Sequence, residues 1–129
     1  MKVLSIDWGS KRIGLALGDA HLKLVIPLKP IDNDGKVFDK ILERVRQHKV
    51  DLILLGLPLT PSGREGQRAL EVREFAKRLQ ELLPKNVALE FWDERYTTEE
   101  ALRLAGNKKK EFKDSLSAYV ILNEFFDSL

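Results

Sequence analysis

The sequence contains no cysteine, one methionine and two histidines. Lack of cysteine excludes a disulfide framework, a thiolate zinc site and a cysteine nucleophile together. His21 and His48 are too scattered to form a histidine metal cluster. Ser62, Thr97 and Thr98 have no adjacent histidine, which argues against a hydroxyl nucleophile activated by a base. No apolar run approaches the length needed to cross a bilayer, and the stretch before Asp7 is too short for the apolar core of a signal peptide. A cytoplasmic protein without membrane contact is therefore expected. Charge of one sign is also lacking: 22 Lys and Arg against 20 Asp and Glu leave a net +2. A total so close to zero can hide a basic face beside a cluster of buried acids, so the placement of the charges matters more than their sum.

What is present suits one globular unit. With 129 residues, 43% hydrophobic and 33% charged, the chain can form a core, and one domain spanning residues 1–129 is expected. Val3, Leu4 and Ile6 lead to Asp7 and Gly9 as a strand closed by a turn; Ile13 to Leu17 and Leu22 to Leu28 read as two more, the last ended by Pro30. Val37, Phe38, Ile41, Leu42 and Val45 recur at helical spacing. Residues 52–57, LeuIleLeuLeuGlyLeu, form an apolar run too short for a helix and read as a central strand covered on both faces. A helix carrying Leu70 to Leu82 stops at Pro84, and Val87, Leu89 and Phe91 alternate as a last strand. ThrThrGluGlu (97–100) opens a short helix ending near Gly106, and a final helix runs from about Lys113 to Phe126. The order β-β-β-α-β-α-β-α-α describes an α/β fold, a mixed sheet with helices on both faces.

Three carboxylate positions stand out. Asp7 ends the first strand, where open sheets place their ligands, although a short acid also turns the chain well into Gly9. Asp93 and Glu94 end the last strand. On an extended segment they point in opposite directions, so one of them faces the side of Asp7 and the other is free to pair with Arg95. Asp114 shares a stripe of the final helix with Ala118, Ile121 and Phe125 and is expected to face the sheet, unless it or Ser115 only caps the helix. Acids from two strand ends and a helix start make a divalent-cation site, and hard oxygen ligands suit Mg²⁺ or Mn²⁺. Such ions activate water and stabilise the leaving oxygen of a phosphodiester. Basic residues gather nearby in sequence: Lys11 and Arg12, Arg64 and Arg68, Arg95, then Lys108, Lys109 and Lys110. They suit a nucleic-acid backbone, with Thr98 as a cap or phosphate contact, while the Lys run considered alone reads equally as a solvated surface. Trp8 and Trp92 adjoin the acids and could stack on a base, though packing is the commoner use of Trp.

The motifs AspTrpGlySerLysArgIleGly (7–14), GlyLeuProLeu (56–59) with Gly63, AspGluArgTyrThrThr (93–98) with Ala101, and LysAspSerLeuSerAlaTyrValIleLeu (113–122) resemble, in order and over essentially the whole chain, the YqgF or RuvX-type family. That family is described as Holliday-junction-resolvase-like and as the pre-16S ribosomal RNA nuclease of bacteria. The resemblance implies a ribonuclease H-like fold with a five-stranded mixed sheet, and acids that bind Mg²⁺ or Mn²⁺. Carried over by position, these are Asp7, either Asp93 or Glu94, and Asp114. The loop after GlyLeuProLeu has Pro61 and Ser62 where the family commonly carries an Asp, which puts an acid from that loop in doubt. Ser117 replaces a usual Ala and Tyr96 a usual Leu, neither expected to affect chemistry. Related resolvases often place an acid at the end of the fourth strand, but Gly56 to Pro58 offers none. An acid from the fifth strand must then reach one strand spacing further, ~4.8 Å, which suits Glu94 better than Asp93.

The expectation is a metal-dependent endonuclease acting on structured nucleic acid, pre-16S ribosomal RNA foremost, within or before pre-ribosomal particles. Rival readings are a resolvase of branched DNA, whose paired cuts require a homodimer rather than a monomer, and a non-catalytic RNA-binding factor of the same fold. The AspXGlySer turn also resembles the phosphate loop of actin-like ATPases, but those enzymes close two lobes over ATP, and 129 residues supply one.

Overall fold

The computed structural model describes residues 1–94 and 115–129. Five strands, β1 (Lys2–Asp7), β2 (Arg12–Asp19), β3 (Leu24–Asp32), β4 (Leu52–Leu57) and β5 (Ala88–Asp93), form one sheet in the order β3-β2-β1-β4-β5. Helix α1 (Val37–His48) joins β3 to β4, α2 (Gln67–Leu82) joins β4 to β5, and α3 (Leu116–Asp127) closes the described chain. The sheet is mixed: β1 is antiparallel to β2 and β2 to β3, while β4 runs parallel to both β1 and β5. Three parallel strands therefore end together, bringing Asp7, Leu57 and Asp93 to one edge.

Alternation along the strands divides the core. Leu4, Ile6, Ile13, Leu15, Ile53, Leu55 and Leu57 pack under α1 and α2, which contribute Val37, Ile41, Val45, Val72, Phe75 and Leu79. A stacked pair, Phe38 and Phe75, with ring centres 5.1 Å apart, ties the two helices together. On the opposite face Val3, Ala16, Leu52 and Leu54 meet Ala118, Ile121 and Leu122 of α3. Helices thus cover both faces, as the hydrophobic pattern predicts, and β4 is buried at every position.

The third strand departs from expectation. It continues through Pro30 to Asp32, and Pro27 also lies within it. Proline is tolerated because β3 is an edge strand bonded only to β2, and because the register slips where Pro30 sits. Ile13 pairs with Ile31 but Leu15 with Leu28, so Lys29 and Pro30 oppose Gly14 alone as a bulge. Helix α2 begins at Gln67, three residues before the first apolar position used to place it, which puts Arg68 in its first turn. The short helix expected over 97–106 and the first residues of the final helix lie outside the described residues. Among the described residues, no helix is long and apolar enough to cross a membrane.

Candidate active site

A cavity of about 660 Å³ opens at the carboxyl ends of the parallel strands, with Asp7 and Glu94 in its wall. Period-two alternation puts Asp7 on the α3 face, in phase with Val3, and gives Glu94 the same side. Asp93 falls on the other face, paired across the ladder with Leu57, which packs beneath α1 and α2. Of the two adjacent acids only Glu94 enters the cavity. Since β5 lies beyond β4 from β1, its side chain spans the intervening strand to reach Asp7.

The two carboxyl groups are hydrogen-bonded to each other, an arrangement that requires a proton between them. Burial and the neighbouring Asp7 charge push Glu94 up to about 8 from its ordinary 4.5, with the Asp7 hydrogen bond and Asp93 adding and Arg68 opposing. Burial also raises Asp7, against the bond from Glu94, the Arg68 charge and a hydrogen bond from Ser117. At neutral pH the protonated Glu94 donates to the Asp7 carboxylate, because two buried negative charges so close repel.

Positive groups surround the pair. Lys11 and Arg12 line the cavity from the turn after β1, and Arg68 reaches it from the first turn of α2. The Arg68 guanidinium lies over the Trp8 ring, 5.3 Å from its centre. That ring also packs on the core beneath α1 and α2, so Trp8 serves as a platform for an arginine. Trp92 packs against the core under α3 and donates from Nε1 to Glu124 at 3.3 Å. Arg64 does not line the cavity; its backbone N–H bonds Thr60 within the turn before α2. Arg95, Thr98, Lys108, Lys109, Lys110 and Asp114 lie outside the described residues.

Three polar residues take roles that the sequence did not assign to them. Ser117, expected to have no bearing on chemistry, lines the cavity and donates its hydroxyl to Asp7. The available signal was its spacing of three from Asp114 within the helix expected from about Lys113, since such neighbours share a face. Asn33 clamps the turn that carries Lys11: its side-chain amide donates to the Gly9 carbonyl at 2.8 Å and its backbone N–H to that of Lys11 at 2.9 Å. The turn is tight enough that a Cβ on Gly9 would lie 2.4 Å from the Arg12 carbonyl oxygen. Ser115 stands at the N-cap position of α3 but its side chain makes no capping hydrogen bond. Its hydroxyl accepts from the Leu15 N–H at 3.1 Å and donates to the Leu28 carbonyl at 2.7 Å, filling the ladder gap at the bulge and fastening the start of α3 to the sheet.

Residues 1–128 match the RuvX family, described as Holliday junction resolvase. A Sulfurihydrogenibium protein named as a pre-16S rRNA nuclease is 40% identical over 132 residues, covering 99% of this chain and 91% of that protein. Two solved structures share the fold at low identity. The fowlpox virus resolvase in complex with substrate Holliday junction DNA superposes with a TM-score of 0.65 at 11% identity, covering 99% of this chain and 98% of that one. Thermus thermophilus RuvC gives 0.59 at 14%, covering 99% and 95%. The fold is ribonuclease H-like, as those of its structural neighbours are.

Proposed function

The chain belongs to the RuvX family, and from that premise we propose that it is a cytoplasmic, metal-dependent endonuclease that hydrolyses phosphodiesters of structured nucleic acid, with pre-16S ribosomal RNA as its substrate. The observation that carries the reading is the meeting of the Asp7 and Glu94 carboxyl groups in the wall of an open cavity edged by Lys11, Arg12 and Arg68. The pre-16S substrate is supported by the name of the Sulfurihydrogenibium relative.

The donor set suits Mg²⁺ or Mn²⁺: the buried oxygens of Asp7 and Glu94 are hard ligands, already paired, and their repulsion is relieved by a cation as it is by a proton. Asp114, three residues ahead of Ser117 in the sequence, would complete the set. A bound divalent ion supplies Lewis-acid activation of water and charge stabilisation at the scissile phosphate. Ser117 holds the Asp7 carboxylate in orientation through its hydroxyl. Arg68, braced on Trp8, neutralises phosphate charge beside the acids, and Lys11 with Arg12 holds the adjacent backbone from the clamped turn. Arg64, Arg95, Thr98 and Lys108 to Lys110 would extend the phosphate contacts.

The test is cleavage of a pre-16S rRNA fragment and of a four-way DNA junction side by side, with Mg²⁺ or Mn²⁺, by wild type and Asp7→Asn. The expected result is metal-dependent cleavage of the RNA that Asp7→Asn abolishes. Junction cleavage with intact RNA would move the substrate to branched DNA. Equal cleavage by Asp7→Asn under saturating metal would remove the assignment, and RNA binding unchanged by EDTA with no hydrolysis under any divalent ion would point to a binding factor.

A further inference from the structure

We propose that Gly56 is a positioning residue of the acid pair: its missing side chain is the passage through which the Glu94 carboxyl group crosses β4 to meet Asp7. The inference rests on the reading of Asp7 and Glu94 as cation ligands.

Strand β4 lies between β1 and β5, so whatever joins the acids of the outer two must pass over it. Gly56 pairs in register with Trp92, two residues before Glu94, and lies in phase with Leu52 and Leu54 on the α3 face, the face that Asp7 and Glu94 share. It is therefore the β4 position directly under the route. A Cβ at residue 56 would stand 2.6 Å from Oε1 and 2.7 Å from Cδ of Glu94, and 2.8 Å from Cδ1 of Ile121. Any side chain there displaces the carboxyl group, the helix, or both.

Backbone conformation does not account for the glycine. Among the described residues Gly63 is the glycine with positive φ, whereas Gly56 sits in regular strand geometry that an L-residue adopts freely. Every other residue of β4 is Leu or Ile. A glycine in a buried central strand forgoes packing and conformational stability, and close approach by another group is a standing reason for one. Here the approaching group is Glu94. The absence of an acid at the end of β4 and the presence of a glycine within it thus become one feature: the acid arrives from the next strand across the space the glycine leaves.

Because the same Cβ also meets Ile121, the experiment separates the two contacts. Mn²⁺ binding by calorimetry and thermal melting are measured on purified wild type, Glu94→Ala, Gly56→Ala, Gly56→Ala with Ile121→Val, and Gly56→Ala with Glu94→Ala. Gly56→Ala is expected to weaken Mn²⁺ binding ~10-fold or more. Adding Ile121→Val removes the obstructing Cδ1 and raises the melting temperature of Gly56→Ala without restoring affinity. In the Glu94→Ala background, Gly56→Ala removes no further affinity, since there is no carboxyl group left to displace. Wild-type affinity in Gly56→Ala overturns the proposal. So does recovery of affinity with Ile121→Val, which would make the glycine a helix-packing device, or an equal further loss in the Glu94→Ala background. If Glu94→Ala itself binds Mn²⁺ as wild type does, the cation-site reading fails instead.

Discussion

The two faces of the sheet are built from the same five strands but carry different burdens. Among the described residues, every buried side chain beneath α1 and α2 is apolar, from Leu4 on β1 to Val87 before β5. Beneath α3 the buried apolar set is smaller, and polar groups interrupt it: Ser5 and Ser115 are fully buried, and Asp7 and Glu94 stand at its edge with Ser117. Polar atoms in a core lower stability unless paired, so the first face can hold the fold while the second departs from good packing where it carries the candidate site.

The comparison breaks first at its extremes. Asp7→Asn should reduce metal-dependent cleavage by ~100-fold or more while the protein melts no lower than wild type at pH 8, because the substitution removes a buried charge facing another acid. A cleavage assay paired with a thermal melt checks both halves. Conversely, Leu55→Ala on the α1 and α2 face should lower unfolding free energy by about 2–5 kcal/mol in a denaturant titration and leave the Mn²⁺ affinity of the folded protein unchanged. A strong loss of affinity in that variant would show that the two faces are not separable.

A third prediction concerns pH. Glu94 keeps its proton in the native protein up to about 8, whereas the unfolded chain sheds it near the ordinary 4.5. Between those values the unfolded state binds fewer protons, so metal-free stability is complete below about 4.5 and falls as pH rises towards 8; the raised Asp7 has the same sign. Saturating Mg²⁺ should flatten this decline, because the cation takes the place of the proton. Melting temperatures across pH 4–9 with EDTA or Mg²⁺ measure it, and a metal-free profile rising through that window would contradict the shared proton.

The smallest effect sharpens the comparison within the α3 face itself. Ser5 is fully buried and its hydroxyl meets no partner among the described residues, whereas the Ser115 hydroxyl joins β2 to β3 through two hydrogen bonds. Ser5→Ala should be neutral or stabilising by up to ~1 kcal/mol, and Ser115→Ala destabilising by about 1–3 kcal/mol, since it leaves the Leu15 N–H and the Leu28 carbonyl unpaired. Equal effects in denaturant titrations would mean that the bulge is not held by Ser115.

Most of the fold was legible in the sequence because its signals are local. Period-two and helical spacing placed β1, β2, β4, β5, α1 and α2, and the residues of the family motifs marked Asp7 and, without choosing between them, Asp93 or Glu94. The failures share a cause. Pro30 reads as a strand stop until the strand is known to lie at an edge, beside a bulge. Ser117 and Asn33 read as a neutral helix residue and a loop residue, because their partners are Asp7 and Gly9, distant in the chain and near only after the sheet forms.

What the sequence by itself determined was the set of parts: alternation that makes two covered faces, three strands that end in Asp7, Pro58 and the Asp93–Glu94 pair, and a near-neutral total of +2 in which basic turns flank acids. What only the tertiary structure decided was which parts meet. Strand order puts β4 between the acids, alternation selects Glu94 over Asp93, and Arg68 and Ser117 arrive from helices on opposite faces of the sheet. The physical reason is that periodicity follows from bonds between neighbours in the chain, whereas a shared proton depends on distances in space, which are settled only when all five strands are in register.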